Sequence, residues 1–392
     1  MLTDRLASAG MRGHVYRRGG TWTYVADAGR DPVTGRRRQR TKGGFASKKA
    51  AEAALREFLH AHDSGQLVPV STTSLGEYLE QWLANLEPNA RRTTFGGYRR
   101  DVARIVGRLG GVRLHELTPM QIESAYAELL RAGGAAGGPL SAKTVYNTHS
   151  TLRRALGDAV RLGVLPRNPA SAARPPSRPK HEMRTWTAEQ LGTFLDALDD
   201  DPLNAAYVLV ATTGMRRGEV MGLRWEDVDV DRGFLRVRQT LTTVDDRLVF
   251  DTTKTNRSRR RISLDDTTVA ALRRHNVRQA EDRLLVGAGW NDAYGLVFCQ
   301  ADGTPLHPDR WTQQFKRHVG RLGLPPVGGP HALRHTWATL ALEAGVHPKV
   351  VSERLGHSTI AITLDAYSHV VEGMDAEAAT TVADQIFRRT ER

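Results

Sequence analysis

"GGPHALRHTWATLALEAG", residues 328–345, reads as a helix whose first turns are unusually rich in cationic donors. Pro330 suits the start of a helix, where its fixed φ and missing N–H cost nothing. From there His331, Arg334 and His335 stand at i, i+3 and i+4, so they share one face of the first turns. A helix N-terminus lined by such donors is a ready site for phosphate. Buried, hydrogen-bonded histidines would account for one of them, less easily for the trio. Histidines four apart can also ligate zinc, but Ala332 stands where a zinc hydrolase carries its glutamate, so no metal is expected.

Upstream, "TGMRRGEV", 213–220, closes an apolar run and offers Arg216 and Glu219. Between the two motifs, residues 233–264 alternate as strands. They put Lys254 in a polar turn between a strand ending near Val249-Phe250 and one holding Arg261-Ile262. Downstream, "VVSERLGHSTIAITLDAYSHV", 350–370, places His357 in a Leu-Gly-His-Ser turn and Tyr367 ten residues later. Taken singly, such a lysine is an exposed turn residue and such a tyrosine packs in a core. "TWTAEQLGTFLDAL" opens this region, residues 185–392, with a helix capped by Thr187 and Gln190.

The chain has 392 residues and a formal net charge of +13, which suggests two to three domains and a polyanionic partner, nucleic acid before membrane. Residues 11–63 hold 12 basic against 5 acidic side chains, so the excess is concentrated there. In that segment "HVYRRGGTWTYVA" suggests a hairpin turning at Gly19-Gly20. A basic strand follows from Arg36 to Thr41, then turn residues at Gly43-Gly44, then an Ala-rich helix that Ser47 could cap. The sum is a ββ(β)α unit. Its Arg36, Arg37, Arg38, Arg40 and Lys42 are candidates to reach into a DNA groove.

Residues 74–168 repeat apolar positions at spacings of three and four, giving a domain of four to five helices, with starts at Thr118-Pro119 and Ser141 and stops at Gly133-Gly134 and Gly163. Arg99, Arg100, Lys143 and Arg153 on those helices are candidate DNA-backbone contacts. Residues 169–184, rich in Pro, Ala and Ser, read as a linker too poor in large apolar groups to pack a core. The lone Cys299 can form no intramolecular disulfide. The apolar run at 205–212 is far short of a membrane span, and the first residues lack a signal peptide's apolar core. A cytoplasmic protein, neither exported nor embedded, is expected.

Thr-Gly-x-Arg-x-x-Glu, a hairpin lysine, His-x-Leu-Arg-His, Leu-Gly-His and a following Tyr, in that order, resemble the tyrosine recombinase family. The upstream order resembles phage-type integrases, so the likeness spans nearly the whole chain. The resemblance implies a multidomain, mainly α protein: an arm-type DNA-binding domain, a helical core-binding domain of SAM-like type, and a mixed α/β catalytic domain. It implies integration and excision of a phage or mobile element through a 3′-phosphotyrosine intermediate. Tyr367 would be the nucleophile, with Arg216, Lys254, His331, Arg334 and His357 catalytic and Glu219 and His335 supporting. It further implies double-stranded core and arm sites as substrate, a homotetramer in the synaptic complex, an excisionase and a DNA-bending protein as partners, and a place at the bacterial nucleoid.

No cofactor is expected, because the covalent link stores the bond energy and the sequence carries no phosphate-binding loop of the Gly-x4-Gly-Lys-Ser/Thr type. Rival readings are a DNA-binding regulator on an inactive recombinase scaffold, a metal-dependent nuclease, which would need clustered carboxylates near the histidines, and a type IB topoisomerase of the same chemistry.

Overall fold

Gly19 turns the first long hairpin with φ 61°, pairing Arg18 with Thr21 across a two-residue loop. In the computed structural model, which describes residues 5–8, 11–30, 37–63, 72–134, 137–178, 184–252, 259–367, 380, 382–384 and 386–387, this hairpin is part of a four-stranded antiparallel sheet. Strands β1 (Arg5–Ser8), β2 (Met11–Arg18), β3 (Thr21–Arg30) and β4 (Arg37–Phe45) lie side by side in chain order. β1 adds a strand to the expected ββ(β)α unit, its four residues being too few to show an alternation. Gly43-Gly44 is not a turn. Tyr24 pairs with Lys42 and Trp22 with Phe45, so both glycines oppose Thr23 alone as a bulge inside β4, with Gly44 at φ 90°. Ser47 caps helix α1 (Lys48–Asp63), accepting from the Ala50 N–H at 3.2 Å. Leu55, Phe58 and Leu59 of α1 close on Tyr24 and Ala26 to form a small separate core.

Four helices follow: α2 (Leu75–Leu86), α3 (Arg92–Leu109), α4 (Pro119–Ala132) and α5 (Ala142–Arg161). Thr118 and Gln121 form a reciprocal capping box, and Ser141 accepts from the Thr144 N–H. The core is apolar, with Tyr78, Trp82 and Tyr126 among its aliphatic side chains, and one carboxylate is buried within it. Asp101 of α3 accepts from Thr148 at 3.0 Å and Thr151 at 2.8 Å on α5, which satisfies a group that would otherwise be costly to bury. The segment expected as linker begins inside this core: Ala170 and Ala173 are buried beside a 3-10 turn at Pro169–Ser171. Alanine fills gaps between helices where a larger group would not enter, so poverty in large apolar residues did not keep 169–173 out. Part of the remaining linker, residues 179–183, lies outside the described residues.

The chain divides into two compact units, Met1–Pro179 and Lys180–Arg392. The second contains α6 (Ala188–Asp196), α7 (Asn204–Thr213) and α8 (Arg217–Met221). A three-stranded sheet of β5 (Val228–Asp229), β6 (Phe234–Val237) and β9 (Arg260–Ser263) and a hairpin of β7 (Gln239–Val244) and β8 (Arg247–Thr252) come next. Helices α9 (Asp266–Val286), α10 (Pro308–Arg321), α11 (His331–Glu343), α12 (Pro348–Leu355) and α13 (Ile360–Ala366) complete it. Helix α7 is apolar on every side because it is buried on every side; Tyr207, Leu209 and Val210 lie among Trp186, Phe194, Trp311 and Phe315. Its end is fixed by Gly214, at φ 67° in the left-handed region. An added Cβ there would stand 2.6 Å from Leu355 and 2.9 Å from Trp337, so only glycine lets α7 stop against α11 and α12. Among the described residues no helix is long and apolar enough to cross a membrane.

Candidate active site

The turn after Gly214 sends two adjacent arginines in opposite directions. Arg217 reaches α10, donating to Asp309 at 2.8 Å and Thr312 at 2.7 Å. Arg216 turns inward. Its backbone N–H and Nη1 donate to the two oxygens of Glu219 at 2.9 and 2.8 Å, and its Nη2 donates to the Gly356 carbonyl at 3.0 Å. Arg334, from the first turn of α11, is only 2% exposed; its Nη1 donates to the Gly214 carbonyl at 2.7 Å and its Nη2 to Leu355 at 2.9 Å. The two motif arginines thus meet around the end of α12.

Arg260 joins them. Its fork holds both Glu219 oxygens, Nη1 at 3.0 Å and Nη2 at 2.8 Å, while Nε donates to the Arg354 carbonyl at 2.7 Å. The sequence offered Arg257, Arg259, Arg260 and Arg261 together, with no ground for choosing among them. The signal that separates them is the period of two along β9: Arg260 faces inward while Arg259 and Arg261 are exposed.

Charge at the site is finely opposed. Burial is the largest influence on Glu219 and resists its ionisation, yet the hydrogen bonds and charges of Arg260 and Arg216 outweigh it and hold the carboxyl at about 2. Arg334 is pushed down to about 9, first by burial and then by the charge of Arg216, and remains a cation at neutral pH. His357 is pushed to about 4, by burial first and then by Arg334 and Arg216; its Nδ1 lies 2.8 Å from the Thr363 hydroxyl. His331 moves the same way through crowding and the charges of His335 and Arg334, although its outer edge meets solvent, which argues for a smaller displacement. A region that disfavours each further positive charge is one that an anion would relieve.

Tyr367 follows α13 and is 2% exposed, packed on Ala338, Leu342, Val351 and Leu355. Its hydroxyl is hydrogen-bonded to Nδ1 of His335 at 2.8 Å, and burial pushes the phenol up to about 12 against the opposing charge of Arg334. His335 in turn meets His331 edge to face, with ring centroids 4.9 Å apart. This pair is the geometry that could suggest zinc, but His335 is engaged with the tyrosine. Among the described residues no group of three or more His, Cys, Asp or Glu side chains is arranged to hold a metal ion.

Arg216, Glu219, His331, Arg334, His335, His357 and Tyr367 therefore come together, and Lys254 lies outside the described residues. So does Arg36. Arg37 and Arg38 are in β4. Arg40 and Lys42 pair with Ala26 and Tyr24, whose side chains face α1, so their alternation puts them on the helix side of the sheet. The Arg40 guanidinium stands 5.6 Å from the Phe58 ring and the Lys42 amine 5.9 Å from Phe45, the stems covering the small core. Both side chains are exposed on that side of the sheet. The open face carries His14, Tyr16, Gln39 and Thr41 instead. Arg99, Arg100, Lys143 and Arg153 are exposed on α3 and α5. In the second unit a cavity of about 600 Å³ is lined by Arg224, Arg236, Arg238, Arg259, Arg260 and Arg261 together with Glu226 and Asp227, which pair with Arg224 and Arg238.

Residues 184–373 match the phage integrase family and residues 14–61 an arm DNA-binding domain. A tyrosine recombinase XerC-like protein of Caldanaerobacter subterraneus is 30% identical over 360 residues, covering 86% of this chain and 90% of that protein. The fold is similar to that of the Tn1549 transposon integrase in complex with transposon right end DNA, at TM-score 0.66 and 22% identity over 78% of this chain and 100% of the other. It is also similar to a lambda integrase tetramer bound to a Holliday junction, at TM-score 0.54 and 20% identity over 90% and 94% of the two chains.

Proposed function

The chain belongs to the phage integrase family of tyrosine recombinases, and from that premise we propose that Arg216 and Arg334 bind the scissile phosphate of DNA and that Tyr367 attacks it. The observation that carries this reading is the convergence of two buried or half-buried arginines with the Tyr367–His335 pair around the end of α12.

Nη2 of each arginine now donates to a backbone carbonyl, Gly356 for Arg216 and Leu355 for Arg334. These bonds hold both guanidinium groups in fixed orientations, so charge developing on the non-bridging oxygens of a phosphate meets cationic donors already in place. A phenol held at about 12 is a poor nucleophile. It leaves His335, gives its proton to a neutral imidazole, and forms the Tyr367 Oη–phosphorus bond as the phosphorus–O5′ bond breaks. His331 and His357, pushed below the ordinary imidazole range by burial and the neighbouring arginines, are neutral at pH 7, and one of them accepts that proton once the bound phosphate offsets the arginine charges. Lys254 donates a proton to the departing 5′-oxygen. The reverse attack by a 5′-hydroxyl of another strand rejoins the DNA and releases the tyrosine, so no cofactor is consumed.

The helical segment with exposed Arg99, Arg100, Lys143 and Arg153 grips core-site DNA, the four-stranded domain takes arm sites, and the arginine-lined cavity adds positive potential near the duplex. Recombination proceeds in a tetramer in the host cytoplasm, with an excisionase and a DNA-bending protein setting direction. The test is Tyr367→Phe on a nicked suicide substrate, assayed with and without EDTA. DNA binding persists and the covalent adduct disappears, whereas the wild-type chain forms it in both buffers. An adduct retained by Tyr367→Phe moves the nucleophile elsewhere, and no adduct from the wild-type chain leaves the reading of a DNA-binding regulator.

A further inference from the structure

We propose that Arg260 is a positioning residue for strand cleavage, fixing Glu219 and the end of α12 so that Arg216 presents its outer N–H groups in one orientation; the proposal rests on the recombinase reading above.

Glu219 is 3% exposed and receives four donors, two from Arg216 and two from Arg260, one of each on either oxygen. Two carboxylate oxygens offer about four lone-pair directions, so this acceptor is saturated. Arg216 alone is a long side chain with several rotamers. What removes that freedom is a carboxylate that cannot itself rotate, and Arg260 prevents the rotation by gripping both oxygens with a planar fork.

The same guanidinium acts on the other support of Arg216. The C-terminal carbonyls of a helix lack intrahelical partners and carry its negative end. In α12 and the residue after it, three successive carbonyls are each taken by a different arginine: Arg354 by Arg260, Leu355 by Arg334 and Gly356 by Arg216. Gly356, at φ 67°, makes the turn that allows this; a Cβ added there would come 3.0 Å from Arg260 Nη1. Arg260 thus ties the strand β9, which returns from the segment bearing Lys254, to Glu219 and to the Arg354 carbonyl, two residues before the Gly356 carbonyl that also holds Arg216. Its side chain is only 7% exposed, in contrast to Arg259 and Arg261, so a direct grip on DNA is not its role.

The experiment compares Arg260→Lys, Arg260→Gln and Glu219→Gln, singly and as the Arg260→Gln/Glu219→Gln double variant. Covalent-adduct formation is timed on the suicide substrate, with DNA affinity and thermal melting measured alongside. Loss of one charge-assisted contact expressed in the transition state predicts adduct formation slowed roughly 10- to 100-fold with Kd changed less than about threefold. Lysine supplies charge without the fork, so Arg260→Lys stays slow although it keeps the cation. The double variant is no slower than the worse single one, because both act through one unit. Arg260→Gln also loses rate on the acid side at a pH where the wild-type chain still cleaves, since Glu219 has lost its strongest partner. Arg273→Gln, at an exposed arginine of α9 paired with Asp231, cleaves normally. Wild-type rates in Arg260→Lys and Arg260→Gln, a defect wholly in Kd, or additive defects in the double variant would overturn the proposal. An absent adduct with the wild-type chain would instead fail the recombinase reading.

Discussion

Replacing Glu219 by glutamine removes the negative charge from among three cations while keeping the side chain's shape. The carboxyl stands at about 2 in the folded chain against an ordinary 4.5. At 1.36 kcal/mol per pKa unit, its ionisation contributes about 3 kcal/mol at neutral pH. The group is almost wholly buried, so solvent screening takes little of this away. Because the folded value is depressed, the contribution is complete above 4.5 and is lost as pH falls through about 2. Glu219→Gln never has it, and its amide also turns two hydrogens toward guanidinium donors. The variant is therefore less stable by at least about 3 kcal/mol at pH 7, the gap narrowing to about 2 kcal/mol at pH 3.5. Urea unfolding followed by tryptophan fluorescence measures this directly, since Trp186, Trp225, Trp290, Trp311 and Trp337, five of the chain's seven tryptophans, belong to the second unit. A gap below about 1 kcal/mol at pH 7, or one that widens in acid, would refute the claim that the arginines outweigh the burial of this carboxylate.

Lys254→Ala should slow cleavage of ordinary DNA greatly but leave a 5′-thio substrate nearly unaffected, because a thiolate departs without a proton; Arg216→Ala should be slow on both. Equal defects for Lys254→Ala on the two substrates, in the same timed cleavage assay, would remove the lysine from the general-acid role. A chain lacking residues 1–63 should cleave isolated core sites and fail in integration that needs arm sites. In gel shifts the intact chain should bind arm-site DNA with a steeper salt dependence than the shortened one, and equal slopes would detach those residues from DNA binding.

The grouping of the candidate residues was partly legible in the sequence because spacing within a helix survives folding unchanged: His331, Arg334 and His335 share a helical face wherever that helix sits. Helix starts at Thr118, Ser141 and Thr187 were legible for a similar reason, since a cap is a local bargain between a side chain and N–H groups three residues on. What was hidden depends on register. Arg260 could not be told from its neighbours, nor the faces of Arg40 and Lys42 assigned, until strand pairing and the Gly43-Gly44 bulge fixed which side chains point inward. The docking of Tyr367 on His335 was equally invisible, being a contact across 32 residues with no periodic trace. Ala170 and Ala173 were misjudged because composition reports how much apolar surface a segment owns and not whether a gap of its size awaits it.

Arg334 meets the Gly214 carbonyl across 120 residues, and Arg216 meets Gly356 across 140. Contacts of such sequence separation close long loops and are expected to form late, once the intervening strands and helices have collapsed around α7. A partly unfolded chain therefore carries every candidate side chain and yet lacks their convergence. Cleavage of DNA is thus expected only of the completed fold, the convergence of these arginines being a product of tertiary structure and of no shorter segment.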